Sequence, residues 1–236
     1  MNDIAARLKQ IEENIEAACL RCGRNRQEIK LMAVSKFHPL ETIESASEAG
    51  LRLFGESRVQ EGKEKFSLFW EKYPRDGSVE LHLIGSLQRN KAKAAALFFD
   101  CIQSVDRYSL IDDLGALTAN RDSPLMVMLE YHTGEETKAG FEDQDSLFMA
   151  AERVLSFSGL LPVGLMTMAP FTDDEKAIRA SFRKLVAAKG ELEKRFANKA
   201  AGHWSCLSMG MTSDYEIAIE EGSNLVRIGT AIFGER

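Results

Sequence analysis

The chain has 236 residues, a formal net charge of −6 and 44% hydrophobic residues. That length suits one large domain or two small ones, either with a substantial buried core. The net acidity offers no general attraction to nucleic acid or to an anionic membrane, and no apolar run approaches the length of a bilayer span.

At the amino terminus Asp3, Arg7, Lys9, Glu12 and Glu13 interrupt every apolar stretch. No signal peptide is expected, and the expected compartment is the cytoplasm. Ile4, Leu8, Ile11, Ile15, Ala18 and Cys22 recur at spacings of three and four, which predicts an amphipathic first helix ended by Gly23. Cys19 and Cys22 make a Cys-x-x-Cys within that helix, but Cys101 and Cys206 supply no second pair. His38, His82, His132 and His203 are scattered, so reduced thiols and no metal site are expected.

From there short apolar runs alternate with longer amphipathic stretches. The runs cover 31–34, 51–54, 81–84, 101–105, 125–129, 162–168, 204–207 and 225–228. Between them the pattern predicts helices over 40–49, 58–70, 90–98, 109–119, 144–155, 175–194 and 213–221, the first opened by Pro39. Near-continuous apolar strands alternating with helices indicate parallel β-structure covered by helices. Eight such units in about 200–250 residues predict a (β/α)8 TIM barrel, with an open doubly wound sheet as the alternative. No dinucleotide fingerprint, P-loop or linker interrupts the pattern, so one domain over 1–236 is expected, preceded by the N-terminal helix.

Active sites of such barrels form at the carboxyl ends of the strands. There the sequence places Lys36, Gly55-Glu56-Ser57-Arg58, Gly85-Ser86, Asp106-Arg107, Met166-Thr167-Met168, Ser208-Met209-Gly210-Met211-Thr212 and Arg227-Ile228-Gly229-Thr230. A lysine emerging from a buried strand loses hydration of its charged form, and the neutral amine attacks an aldehyde to give a Schiff base. An ordinary surface lysine along the barrel rim is the alternative. Glycines and hydroxyl residues after the seventh and eighth strands are the usual makings of a phosphate site. Set opposite Lys36, they predict a ligand with an aldehyde at one end and a phosphate at the other.

These segments resemble the pyridoxal phosphate homeostasis protein family, barrels like the amino-terminal domain of alanine racemase. The resemblance is carried by Ala33-Val34-Ser35-Lys36, Leu53-Phe54-Gly55-Glu56 with Arg58-Val59-Gln60-Glu61, and His82-Leu83-Ile84-Gly85 with Leu87-Gln88 and Asn90-Lys91. It continues through 164–169, 207–214 and 226–234. It implies a single fold-type III barrel that carries pyridoxal 5′-phosphate as an aldimine on Lys36. It also implies that Ser208, Gly229 and Thr230 surround the phosphate, that Arg227 sits beside the pyridine nitrogen, and that His82 and Met166 line the pocket wall, a hydrogen-bonded histidine and a core methionine being the alternatives for those two. A guanidinium keeps its proton and so weakens the ring as an electron sink. Ser57 stands where the family usually has asparagine, and Thr212 where it usually has serine. Lys138 matches a family lysine but reads as a solvated loop residue, and Lys91 and Lys93 are expected to face solvent.

Racemisation needs acid–base groups on both faces of the bound amino acid. In alanine racemases the second is a tyrosine of the partner subunit's β-domain. The sequence ends at Arg236, just past the last strand, so no C-terminal β-domain is expected, and none of Tyr73, Tyr108, Tyr131 and Tyr215 reads as an opposing base. The expectation is a non-catalytic monomer that stores, buffers or delivers the cofactor, with pyridoxal phosphate-dependent apoenzymes as partners. A small racemase or lyase, or a cofactor-free lysine aldolase, are the alternatives.

Overall fold

The computed structural model describes residues 4–134, 139–199 and 203–235. Eight strands close into a barrel in chain order: β1 (Lys30–Val34), β2 (Leu53–Glu56), β3 (Glu80–Leu83), β4 (Cys101–Val105), β5 (Leu125–Glu130), β6 (Leu160–Met166), β7 (Cys206–Ser208) and β8 (Leu225–Ile228). Every neighbouring pair is parallel, and β8 closes onto β1 through Lys30–Leu225, Leu31–Val226, Met32–Arg227 and Ala33–Ile228. The open sheet is thereby excluded.

Helix α1 (Ile4–Cys22) precedes the barrel. A helix then follows each strand: α2 (Leu40–Glu48), α3 (Val59–Lys72), α4 (Ala92–Phe98), α5 (Tyr108–Thr118), α6 (Gln144–Leu155), α7 (Glu175–Arg195), α8 (Tyr215–Glu220) and α9 (Thr230–Phe233). Ile4, Ile11, Ile15, Ala18 and Cys19 form the buried stripe of α1. That helix packs on α8 and α9, where Asn14 donates to the Tyr215 hydroxyl and Arg21 pairs with Glu216 and Glu220. No helix of the described residues is long and apolar enough to cross a membrane.

Two apolar layers result from the alternation of side chains along each strand. Outward residues join the helices in the main core, which buries Phe54, Phe66, Phe69, Phe182 and Trp204. Inward residues fill the barrel with flexible thioethers and small groups, among them Met32, Met128, Met166, Cys101 and Leu225.

The strand edges differ from the hydropathy reading by two residues or more at three places. Strand β6 runs two residues earlier than the run 162–168, because Pro162 is accommodated inside it opposite Val127, where the register shifts before Met128. Proline lacks a ladder donor and is tolerated at such an irregularity. Strand β2 begins at Leu53 and extends to Glu56, a charged residue that is fully buried. Trp204 is buried in the turn before β7 and is not part of the strand.

Candidate functional site

At the carboxyl ends of the strands lies a cavity of about 390 Å³, within the usual range of small-molecule sites. Six of the eight sequence-predicted residues line it: Lys36, Ser57, Met166, Arg227, Gly229 and Thr230. Gly85 and Ser86 after β3, and Met211 and Thr212 after β7, complete much of the wall. Gly85 is required there, since a Cβ at that position would fall 2.2 Å from the Ser57 carbonyl oxygen.

Lys36 is half-buried and follows β1 in a tight turn, in which the His38 N–H donates to the Ser35 carbonyl at 3.1 Å. The turn's third residue, Phe37, adopts φ +67, a conformation that favours glycine. His38 packs its ring on Phe233 of α9, centroids 4.8 Å apart. The expected placement of the glycine–hydroxyl segments opposite Lys36 is corrected in part. Barrel closure makes β8 the neighbour of β1, so Gly229 lies beside the Lys36 strand, and a Cβ on it would be 3.2 Å from the Val34 carbonyl.

His82 and Ser208 are not among the residues that wall the cavity. Both are buried in a chain of hydrogen bonds through the barrel interior, and Ser208 lies in register with the wall residue Met166. His82 Nε2 is 3.1 Å from Glu80, its Nδ1 is 2.9 Å from Gln103 Nε2, and the Ser208 hydroxyl donates to Gln103 Oε1 at 2.6 Å. Arg227 Nη1 then donates to the Ser208 carbonyl at 2.6 Å and to its hydroxyl oxygen at 2.8 Å, while Nη2 donates to the Thr167 carbonyl at 2.8 Å. The guanidinium is 4% exposed and forms part of the cavity floor. Burial pulls its pKa down to about 10 against the pull of Asp214 and Glu130, so it stays charged at neutral pH.

Two residues of the site, Glu130 and Gln103, are not among the sequence-based candidates, and Glu56, which stands at a predicted strand end, is buried where a solvent-facing carboxylate would be expected. Glu130, at the end of β5, lines the cavity and is 4% exposed; burial and the nearby Asp106 push its carboxyl up to about 7, opposed by Arg227. Gln103 is buried in the middle of β4. Glu56 is buried beside the Lys36 turn, where it accepts from the Ser35 hydroxyl at 2.7 Å. Each is a polar side chain inside or at the end of an apolar run, and that signal was present in the sequence. Lys138 lies outside the described residues. Lys91 and Lys93 are exposed, and no cluster of three or more His, Cys, Asp or Glu that could hold a metal occurs among the described residues.

Closed barrel, lysine at the end of the first strand and arginine on the last define the class. The family model described as alanine racemase, N-terminal domain, matches residues 6–236. A pyridoxal phosphate homeostasis protein of Vibrio cholerae is 40% identical over 237 residues, covering 100% of this chain and 98% of that one. The chain belongs to the pyridoxal phosphate homeostasis protein family. The structure of PipY from Synechococcus elongatus with PLP bound superposes with a TM-score of 0.82 at 32% identity, over 98% of this chain and 100% of that one. An alanine racemase of Clostridium difficile shares the fold alone, with a TM-score of 0.77 at 11% identity, over 100% of this chain and 57% of that one.

Proposed function

We propose that the protein binds pyridoxal 5′-phosphate as an aldimine on Lys36 and serves in its homeostasis, as a store, buffer or donor to apoenzymes. The observation that carries this reading is one cavity lined by an amine, a buried arginine and hydroxyls at neighbouring strand ends. Their chemistry fits the group. Lys36 would supply the amine that condenses with the cofactor's aldehyde, with water as the group lost. Thr212, Thr230 and the bare backbone of Gly229 offer an anion site beside it. Arg227 holds its charge at the floor and favours an unprotonated ring nitrogen, which restrains carbanion chemistry. Ser57 lines the cavity and brings a short hydroxyl side chain to it.

Absence of turnover at an enzymatic rate is part of the proposal. No tyrosine lines the cavity among the described residues, which leaves a racemase-type opposing base without a candidate of that kind. One observation favours a second reading, a weak racemase or lyase: Glu130 is a cavity carboxyl poised to exchange protons near neutrality.

The test is a visible spectrum with saturating pyridoxal phosphate, before and after borohydride, followed by mass spectrometry. A reduced adduct on Lys36 is expected, absent in Lys36→Ala, which retains weak binding through the anion site. An adduct on another side chain, or equal affinity of Lys36→Ala and parent, overturns the assignment. Steady exchange of an amino acid's α-proton into solvent that depends on Lys36 and Glu130 would establish the second reading.

A further inference from the structure

The Phe-Gly-Glu-x-Arg-Val-Gln-Glu segment at the end of β2 and start of α3 contributes only Ser57 to the cavity wall. Its two carboxylates point elsewhere, toward the turn that bears Lys36. Glu56 Oε1 accepts from the Ser35 hydroxyl at 2.7 Å and pairs with Lys65 of α3, also at 2.7 Å. Glu61 accepts from the Phe37 backbone N–H and pairs with Lys65 at 2.9 Å. The Lys65 ammonium donates in turn to the Ser35 carbonyl at 2.8 Å and to the His38 carbonyl at 3.2 Å. Three of the turn's four residues, Ser35 before Lys36 and Phe37 and His38 after it, are thus gripped by three charged side chains of the neighbouring β2–α3 unit.

The arrangement is costly in two ways. A bulky residue at φ +67 carries backbone strain, which persists only where surroundings over-determine it. Glu56 is 0% exposed and its second carboxyl oxygen has no hydrogen-bond partner. Burial raises its pKa against the opposing effects of Lys65 and Ser35, whereas at Glu61 burial is outweighed by the bonds from Lys65 and Phe37. Buried ion clusters are weak sources of net stability and their better-attested use is to fix one geometry.

We infer that Glu56, Glu61 and Lys65 are positioning residues that hold the strained Ser35–His38 turn so that the Lys36 amine is presented to the cavity. The inference rests on the proposed aldimine at Lys36. It assigns the three side chains to the rate and extent of adduct formation, and not to recognition of the phosphate end.

The experiment compares parent, Lys65→Met, Lys65→Arg and Glu61→Gln. Each receives pyridoxal phosphate, which can condense, and pyridoxine 5′-phosphate, an alcohol that cannot. Thermal unfolding is recorded alongside. Lys65→Met should lower the rate of the Lys36 adduct by about tenfold or more, while its affinity for pyridoxine phosphate stays within about twofold of the parent. Lys65→Arg, which keeps the charge and several donors, should recover part of the rate. Glu61→Gln keeps an acceptor for Phe37 but weakens the pairing with Lys65. It is the milder change should Lys65→Met fail to fold, and a loss of about threefold or more is expected there. Parent-like adduct rates in the folded variants overturn the inference, as does an equal loss of affinity for both ligands. A parent that forms no adduct on Lys36 defeats the functional reading itself, a result distinct from either.

Discussion

His82 and Ser208 share one partner: Gln103 bridges them, 2.9 Å from the imidazole Nδ1 and 2.6 Å from the serine hydroxyl. Through that link a histidine of β3 and a serine of β7 on different sides of the barrel are parts of the same buried network. Ser208 passes the connection on to Arg227. Ser208 thus holds the Arg227 guanidinium directly, and His82 reaches it only through Gln103 and Ser208.

Gln103→Leu removes both bonds and leaves a buried imidazole nitrogen and a buried hydroxyl with one partner fewer each. Unsatisfied buried groups cost about 1–3 kcal/mol apiece, so a total loss of about 2–6 kcal/mol is expected in urea unfolding. A loss under about 0.5 kcal/mol, the level of an ordinary surface change, would show that the network carries no weight.

Arg227→Met replaces the guanidinium by a shorter apolar chain that ends where the arginine Nε stands. The Ser208 and Thr167 carbonyls lose their donors, and Glu130 loses the nearby positive charge that opposes its raised pKa. Breaking such a buried charged hub costs about 3–5 kcal/mol. The carboxyl of Glu130 should move further up, which the pH dependence of stability in the variant would report. An unchanged titration would mean that the two groups do not interact.

The barrel was legible because period and composition agree along the chain. Every expected run contains or overlaps an observed strand, and Lys36, Arg227, Gly229 and Thr230 fall at the cavity because the ends of parallel strands must. The predicted closure itself puts β8 beside β1, so the Gly229 segment belongs next to Lys36 and not opposite it. His82 and Ser208 match family motifs, yet their side chains are claimed by Gln103, a residue 21 positions from one and 105 from the other. Glu56 and Glu130 were hidden by their setting: a carboxylate closing an apolar run reads as the strand's solvent end, and only the fold shows it buried.

Gly85→Ala tests how tightly the mouth is built. The added Cβ would lie 2.2 Å from the Ser57 carbonyl oxygen, a backbone atom that cannot rotate away. The ends of β2 and β3 must separate, at a cost of about 1–3 kcal/mol typical of overpacking. Because Ser57 and Gly85 both line the cavity, pyridoxal phosphate affinity should fall together with the melting temperature. A variant that melts and binds like the parent would contradict the close approach.

Glu130 gives the molecule a pH dependence whose sign follows from the direction of its shift. Its carboxyl is raised from 4.5 to about 7, chiefly by burial and then by Asp106. The folded protein therefore holds a proton that the unfolded chain has released. The stability linked to that proton is fully present below about pH 4.5 and is lost as the pH rises through about 7. Glu130→Gln keeps the shape and does not titrate. Its stability relative to the parent should grow by about 2–3 kcal/mol between pH 4.5 and 8, from about 1.4 kcal/mol per unit of pKa difference. The same substitution removes a negative charge from the cavity wall, so a phosphorylated ligand should bind more tightly to the variant at pH 8 and equally to both proteins at pH 5. Denaturant unfolding and pyridoxine phosphate titrations at the two pH values measure both effects. A stability difference that stays flat across the range would place the Glu130 proton elsewhere.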